Sequence, residues 1–265
     1  MNSATERRQS LRASVLWFGS LALTLCVGKS SLADSFENAV AKNNLDLIET
    51  YLDETVDVDY RGVNGKTALM IAAREGKQNL VNRLINHHAD INAKNINGGT
   101  PLMFAAIHGS PDVVSTLLDA GADVNDTGTN GWGALMVAVA KGHEHATRLL
   151  INAGADVNAI DIYLWTPLMR AAAENRISVA SLLLKVERIN INQQDDHGAI
   201  ALHHAAGNGS KEIVELLLVH GSDPGFTDDL GRTPADYARI KGHSDLASIL
   251  NSSEPKSYSN HGLNH

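Results

Sequence analysis

The sequence predicts an all-α repeat solenoid, a row of short helix pairs stacked one on the next. Two observations predict it. First, the stretch TALMIAAREG at Thr67 returns as TPLMFAAIHG at Thr100, GALMVAVAKG at Gly133, TPLMRAAAEN at Thr166, IALHHAAGNG at Ile200 and TPADYARIKG at Thr233, in steps of 33, 33, 33, 34 and 33 residues. A period of this length marks units that bury their apolar faces only against their neighbours. Second, the 265 residues are 43% apolar and 20% charged, enough for a packed core along the whole row.

Residues 1–33 come first and read as a cleavable signal peptide. Arg7, Arg8 and Arg12 precede an apolar run from Ala13 to Val27, and Ser31-Leu32-Ala33 sets small residues at both cleavage-determining positions, so cleavage is expected after Ala33 and the destination is the periplasm. The run is shorter than the roughly 18 residues a membrane span needs, so no stable membrane insertion of the mature chain is expected. Leu25 is bulky where a lipoprotein signal wants a small residue before its cysteine. Cys26 is the chain's one cysteine and lies inside this segment, which removes disulfides, thiol catalysis and thiolate metal sites from the mature protein. A eukaryotic secretory route stays open, because Asn125-Asp-Thr, Asn208-Gly-Ser and Asn251-Ser-Ser are formal glycosylation sequons.

The repeat domain is expected over 34–251. Residues 34–61 form a degenerate first unit with Phe36, Val40, Leu45, Ile48 and Leu52 turned inward, and full units start near 62, 95, 128, 161, 195 and 228. In the second of these, Thr100 caps a helix and Pro101 fits its first turn, where no amide hydrogen is needed. Ala105 and Ala106 let neighbouring helices approach, and Gly109 ends the helix. Val113, Val114, Leu117 and Leu118 give the second helix one apolar face. GADVN at 121–125 breaks that helix and leads into an extended finger. The extra residue of the 34-residue step lies in KVERININ, 185–192. Residues 252–265 hold too little apolar material to join the stack and are expected to be a flexible tail.

These motifs resemble the ankyrin repeat over nearly all of 34–251. The resemblance implies an ankyrin stack of helix pairs with projecting β-hairpin fingers and a concave recognition face. Asp236 in TPADYA sets a carboxylate at a position usually buried, as a solvent-facing last unit requires. The resemblance also makes His203 a structural residue that hydrogen-bonds between neighbouring loops, at a position filled elsewhere by Met70, Met103, Met136 and Met169. Ile200 stands where threonine would supply its hydroxyl partner. His204 aligns with Ile71, Phe104, Val137 and Arg170, and His143 and His243 follow turn glycines and read as turn residues. The chain is similar, too, to small exported bacterial ankyrin proteins. For some of those the implied role is support or protection of a partner enzyme, catalase in oxidative-stress defence among them.

No catalytic residue is assigned, because no Ser-His-Asp set, glycine-rich phosphate loop or paired-acid motif stands out. No cofactor and no metal are expected. Asp123 and Asn125 of GADVNDTGTNG recur as Asp90 and Asn92 and as Asp156 and Asn158, which marks turn chemistry, and the stretch lacks the terminal glutamate of a calcium loop. Net charge of −8 without a Lys/Arg stripe argues against a nucleic-acid partner.

Specificity must then lie where units depart from their shared pattern. The residue before each helix-capping position is Lys66, Gly99, Trp132, Trp165, Ala199 or Arg232, so two tryptophans stand on adjacent fingers. Tyr163 and Leu164 adjoin Trp165, and Leu164 occupies a position that is glycine in the other five units. An aromatic cluster of this kind supplies binding hot spots of about 2 kcal/mol or more per anchor. The competing account is that the rings only cover adjoining fingers. Ile107, His108, Lys141 and Glu174, at the ends of first helices, and Arg170 complete the candidate protein-binding set.

The resulting expectation is a monomeric, noncatalytic, exported scaffold for a protein partner. Two alternatives are a secreted effector or immunity-type inhibitor, and a metal-dependent enzyme built on His203 and His204 or on His143 and His145.

Overall fold

The computed structural model describes Phe36, Ala39, Tyr51, Leu52 and residues 57–253. The expected signal peptide at 1–33, most of the degenerate unit at 34–61 and the tail from 254 onward lie outside the described residues. Within that first unit Phe36, Ala39 and Leu52 are buried, and Phe36 meets Tyr51 edge-on at 6.3 Å.

Among the described residues, paired α-helices follow one another: α1 (Ala68–Arg74) with α2 (Gln78–Asn86), α3 (Pro101–His108) with α4 (Pro111–Asp119), and α5 (Ala134–Lys141) with α6 (Glu144–Asn152). They continue as α7 (Pro167–Ala173) with α8 (Ile177–Leu184), α9 (Ala201–Gly207) with α10 (Lys211–Val219), and α11 (Pro234–Ile240) with α12 (Ser244–Ser252). Each first helix packs on the first helices before and after it. The second helices from α2 to α10 form a parallel row behind them. Buried alanines, among them Ala72, Ala105, Ala138, Ala171 and Ala205, allow this close approach.

Helix starts follow the sequence rule. The Thr67, Thr100, Thr166 and Thr233 hydroxyls accept the N–H groups of Met70, Met103, Met169 and Asp236, and proline opens α3, α7 and α11. Gly109 and Gly142 end α3 and α5 in the left-handed conformation, with φ of 83° and 75°.

The fingers are tight turns and not two-stranded ladders. Within a finger backbone bonds close the loop, as from Gly128 N to Trp132 O (2.9 Å) with Gly131 N to Gly128 O (3.0 Å), and from Asp161 N to Trp165 O (3.1 Å) with Leu164 N to Asp161 O (2.9 Å). Thr127 and Gly133 form the isolated bridge among the described residues. Neighbouring fingers are joined by one backbone bond each: Ile96 N to Asn64 O, Thr129 N to Asn97 O, Ile162 N to Asn130 O, Asp196 N to Tyr163 O and Asp229 N to His197 O. A second seam uses the recurring asparagines. Asn92, Asn125 and Asn158 accept the N–H of Asp123, Asp156 and Asn190 in the next unit, and donate to the carbonyls of Gly121, Gly154 and Arg188.

Both seams pass unbroken across the 34-residue unit, so the extra residue is absorbed in the loop after α8. There Val186 N bonds Leu183 O, Ile189 N bonds Val186 O, and Arg188 reaches back to Ala155 O at 3.3 Å.

Candidate protein-binding site

The fingers carry a recurring acceptor at their first bend. Asn95, Asp161, Asp195 and Asp228 each accept two backbone N–H groups of their own turn, at two and four residues downstream. Gly62 and Gly128 break the series. Where this residue is a carboxylate it is buried, and a polar side chain nine residues on, projecting from the first helix, completes it: Arg170 for Asp161, His204 for Asp195 and Tyr237 for Asp228. Where it is Asn95 or Gly128, the residue nine positions on is Phe104 or Val137. Charge is thus introduced only where a partner meets it, as burial of a carboxylate demands.

Around Asp161 this pairing gathers the two tryptophans. The Arg170 guanidinium carbon lies 4.9 Å from the Trp132 ring centre and 4.4 Å from that of Trp165. Trp132 Nε1 donates to Asp161 Oδ2 at 3.1 Å, and Arg170 approaches the same oxygen at 3.5 Å. Trp165 continues onto His204, ring centres 4.2 Å apart, and His204 Nε2 lies 2.8 Å from Asp195 Oδ2. Burial opposes charge on Asp195. Hydrogen bonds from His204 and from the His197 and Ala199 N–H groups outweigh it and hold the carboxyl below the usual carboxylate range. At Asp228 the Arg232 side chain and N–H, Tyr237 and Leu230 likewise overcome burial, and Tyr237 is pushed up to about 12 by burial and by Asp228.

Trp132 and Trp165 are therefore half-buried and clasp Arg170 between units, while the side chains that face solvent are Tyr163 (57% exposed), Leu164 (40%) and their neighbour Ile162 (61%). Leu164 has φ of 58°, the left-handed region that Gly65, Gly98, Gly131, Gly198 and Gly231 occupy in the other fingers. Ile107 lines one cavity with Trp132. His108, Lys141 and Glu174 are not gathered with them. They are exposed at the far ends of α3, α5 and α7, about 12 Å of helix away from the finger side, and His108 covers Gly76 of the preceding turn.

Sequence reasoning missed Asp161 and Asp195. Their signal was the aspartate at the head of the finger with a polar residue nine positions later.

The histidine pair is not arranged as a metal site. His203 is fully buried, its Nδ1 accepts the Ile200 N–H at 3.2 Å and its Nε2 donates to the Arg232 carbonyl at 3.0 Å, leaving no lone pair for a cation. The missing threonine hydroxyl is thus bypassed by the backbone. His143 packs over Gly109 with Nε2 on the Ile107 carbonyl, and His243 packs over Gly209. Among the described residues, the grouping of three possible ligand atoms is Asp195, Asp196 and His197, which contains neither proposed histidine pair.

No helix of the described residues is long and apolar enough to cross a membrane. The family model described as ankyrin repeats (3 copies) matches residues 36–128, 123–195 and 185–260. Human ARF GTPase-activating protein GIT1 is 51% identical over 55 residues, 21% of this chain and 7% of that protein. The putative ankyrin repeat protein YahD of Escherichia coli is 37% identical over 79 residues, 28% of this chain and 39% of that protein. The chain therefore spans a minor part of either relative. The crystal structure of the human ASB11 ankyrin repeat domain superposes with a TM-score of 0.73 at 23% identity, covering 81% of this chain and 96% of that one, which establishes the shared fold. With three successive family matches running from 36 to 260 on a stack of this architecture, the chain belongs to the ankyrin repeat family.

Proposed function

We propose that this interaction scaffold is exported to the periplasm and is noncatalytic, holding a partner protein, an enzyme that it supports, against the fingers and groove of units two to four. The observation that carries the binding surface is Leu164. An L-residue in the left-handed region costs roughly 1–2 kcal/mol, and Leu164 carries that cost with 40% of its surface still in solvent. Strain retained at an exposed loop position points to function. Tyr163 and Ile162 extend the same apolar tip, and the Trp132–Arg170–Trp165 clasp gives it a rigid base. Ile107, which shares a cavity with Trp132, extends the face onto α3, while His108, Lys141 and Glu174 at the far ends of the first helices lie outside it. Export rests on the basic, apolar and small-residue segments of 1–33.

Affinity capture from a native envelope extract tests the reading, using the parent, Leu164→Gly and Tyr163→Ser. A partner held by the parent and lost by both folded variants is the expected result; retention by all three moves the interface off this finger. Cell fractionation with N-terminal sequencing should find a periplasmic chain beginning at Asp34, and a cytoplasmic chain with an intact N-terminus would sink export.

A further inference from the structure

A cavity of about 180 Å³ opens between the second and third fingers, with Phe104, Ile107 and Val137 as its floor, Trp132 as a wall, and Asn97 and Asn130 on its rim. It exists because three register positions carry small residues together. Val137 stands where other units have the larger Ile71, Phe104, Arg170, His204 or Tyr237. Gly99 stands where others have Lys66, Trp132, Trp165, Ala199 or Arg232, and Gly128, like Gly62, replaces the finger acid. A cavity of roughly 150 Å³ takes a benzene ring, so this one accommodates a leucine, methionine or phenylalanine side chain.

Its electrostatic setting is opposite in sign to the chain. Net charge is −8, yet no carboxylate lines the cavity, and a cation rests on each aromatic wall: Lys66 Nζ lies 5.8 Å from the Phe104 ring centre, and Arg170 lies 4.9 Å from that of Trp132. Arg170 meets buried Asp161 only at 3.5 Å, and its side chain keeps 20% of its surface exposed. Asn97 and Asn130 offer amides that match the donors and acceptors of an extended backbone.

Resting on the scaffold reading above, we infer that this cavity receives a bulky apolar side chain from an extended segment of the partner protein, flanked on both sides by acidic residues that meet Lys66 and Arg170. First helices of adjacent units stand about 10 Å apart and an extended chain rises about 3.3 Å per residue, which places each acid about three residues from the apolar anchor.

The test is selection of a displayed library of random ten-residue peptides on the purified protein, followed by titration of the enriched peptides against Trp fluorescence, to which Trp132 in the cavity wall contributes. Enriched peptides should share a central Leu, Met, Phe or Trp with Asp or Glu about three residues away on both sides. Val137→Tyr fills the cavity with the side chain that the last unit already carries at this position, so the fold is retained, as circular dichroism will check. It should weaken binding at least about 30-fold, the effect of losing a hot-spot anchor. Lys66→Glu should weaken it about tenfold and shift selection away from acidic flanks. Enrichment of basic flanks, binding indifferent to Val137→Tyr, or no enrichment overturns the inference. None of these touches the scaffold reading, which is judged by capture through Leu164 and Tyr163.

Discussion

His203 Nε2 donates to the carbonyl oxygen of Arg232 at 3.0 Å, tying the fifth helix pair to the sixth finger, while its Nδ1 accepts the Ile200 N–H and can do so only in a neutral ring. With Nδ1 accepting from Ile200, a second ring proton would set N–H against N–H. Burial likewise pushes its pKa below the ordinary imidazole value.

The unfolded chain therefore binds a proton at His203 near its ordinary pKa of about 6.5, before the native state does, and this contribution to stability is lost as pH falls from about 7. His203→Met, the residue four other units use, should cost about 1 kcal/mol at pH 7.5 through the lost hydrogen bond and should lose less stability between pH 7.5 and 5 than the parent. Urea unfolding at both pH values measures it. Parallel profiles would show that His203 is not the titrating group.

Thr147 is fully buried and its hydroxyl has no hydrogen-bond partner, at a register position filled by Val81, Val114 and Val214 in other units. Thr147→Val keeps the shape and removes an unsatisfied polar group, so the unfolding free energy should rise by about 1 kcal/mol. A loss of stability in thermal unfolding would contradict the packing described for α6.

Leu164→Gly restores the residue that the left-handed position favours. Relief of about 1–2 kcal/mol, less roughly 0.5–1 kcal/mol for the freer unfolded chain, leaves a net gain of about 0–1.5 kcal/mol in urea denaturation. A destabilised variant would mean that Leu164 earns its place through internal packing.

Arg170→Met should remove both ring contacts and the counter-charge of buried Asp161. A loss of about 2 kcal/mol is expected, with tryptophan emission shifted to the red, and Arg170→Lys should recover little because an ammonium cannot lie flat between two rings. A loss below about 0.5 kcal/mol would reduce the clasp to a surface contact.

The helix pairs were legible because their determinants are local and recur: threonine or proline at the starts, glycine at the turns, alanine on the packed faces. Leu164 stood out for the same reason, as a break in a glycine series. What register did not convey was where side chains nine residues apart fold back on each other. Asp161 with Arg170 and Asp195 with His204 meet only because the first helix returns across its own finger. Trp132 and Trp165 looked like free aromatic anchors for want of that geometry, which spends much of their surface on Arg170. The 34-residue step was visible as an excess, but its harmless absorption needed the bonds on either side of it.

Single backbone bonds between fingers also bear on how such a chain is inherited. Where the loops of neighbouring units are joined by one finger amide and one asparagine, and their first helices pack in the same way in every unit, an in-frame duplication or deletion of a full period leaves the same two seams to be remade. The stretch from Trp132 to His204 is wired differently, through side chains that answer one another across units three, four and five. Recombination inside it would orphan a buried charge. A deletion or duplication that cuts between units three and five should therefore cost more stability than one that cuts elsewhere in the array.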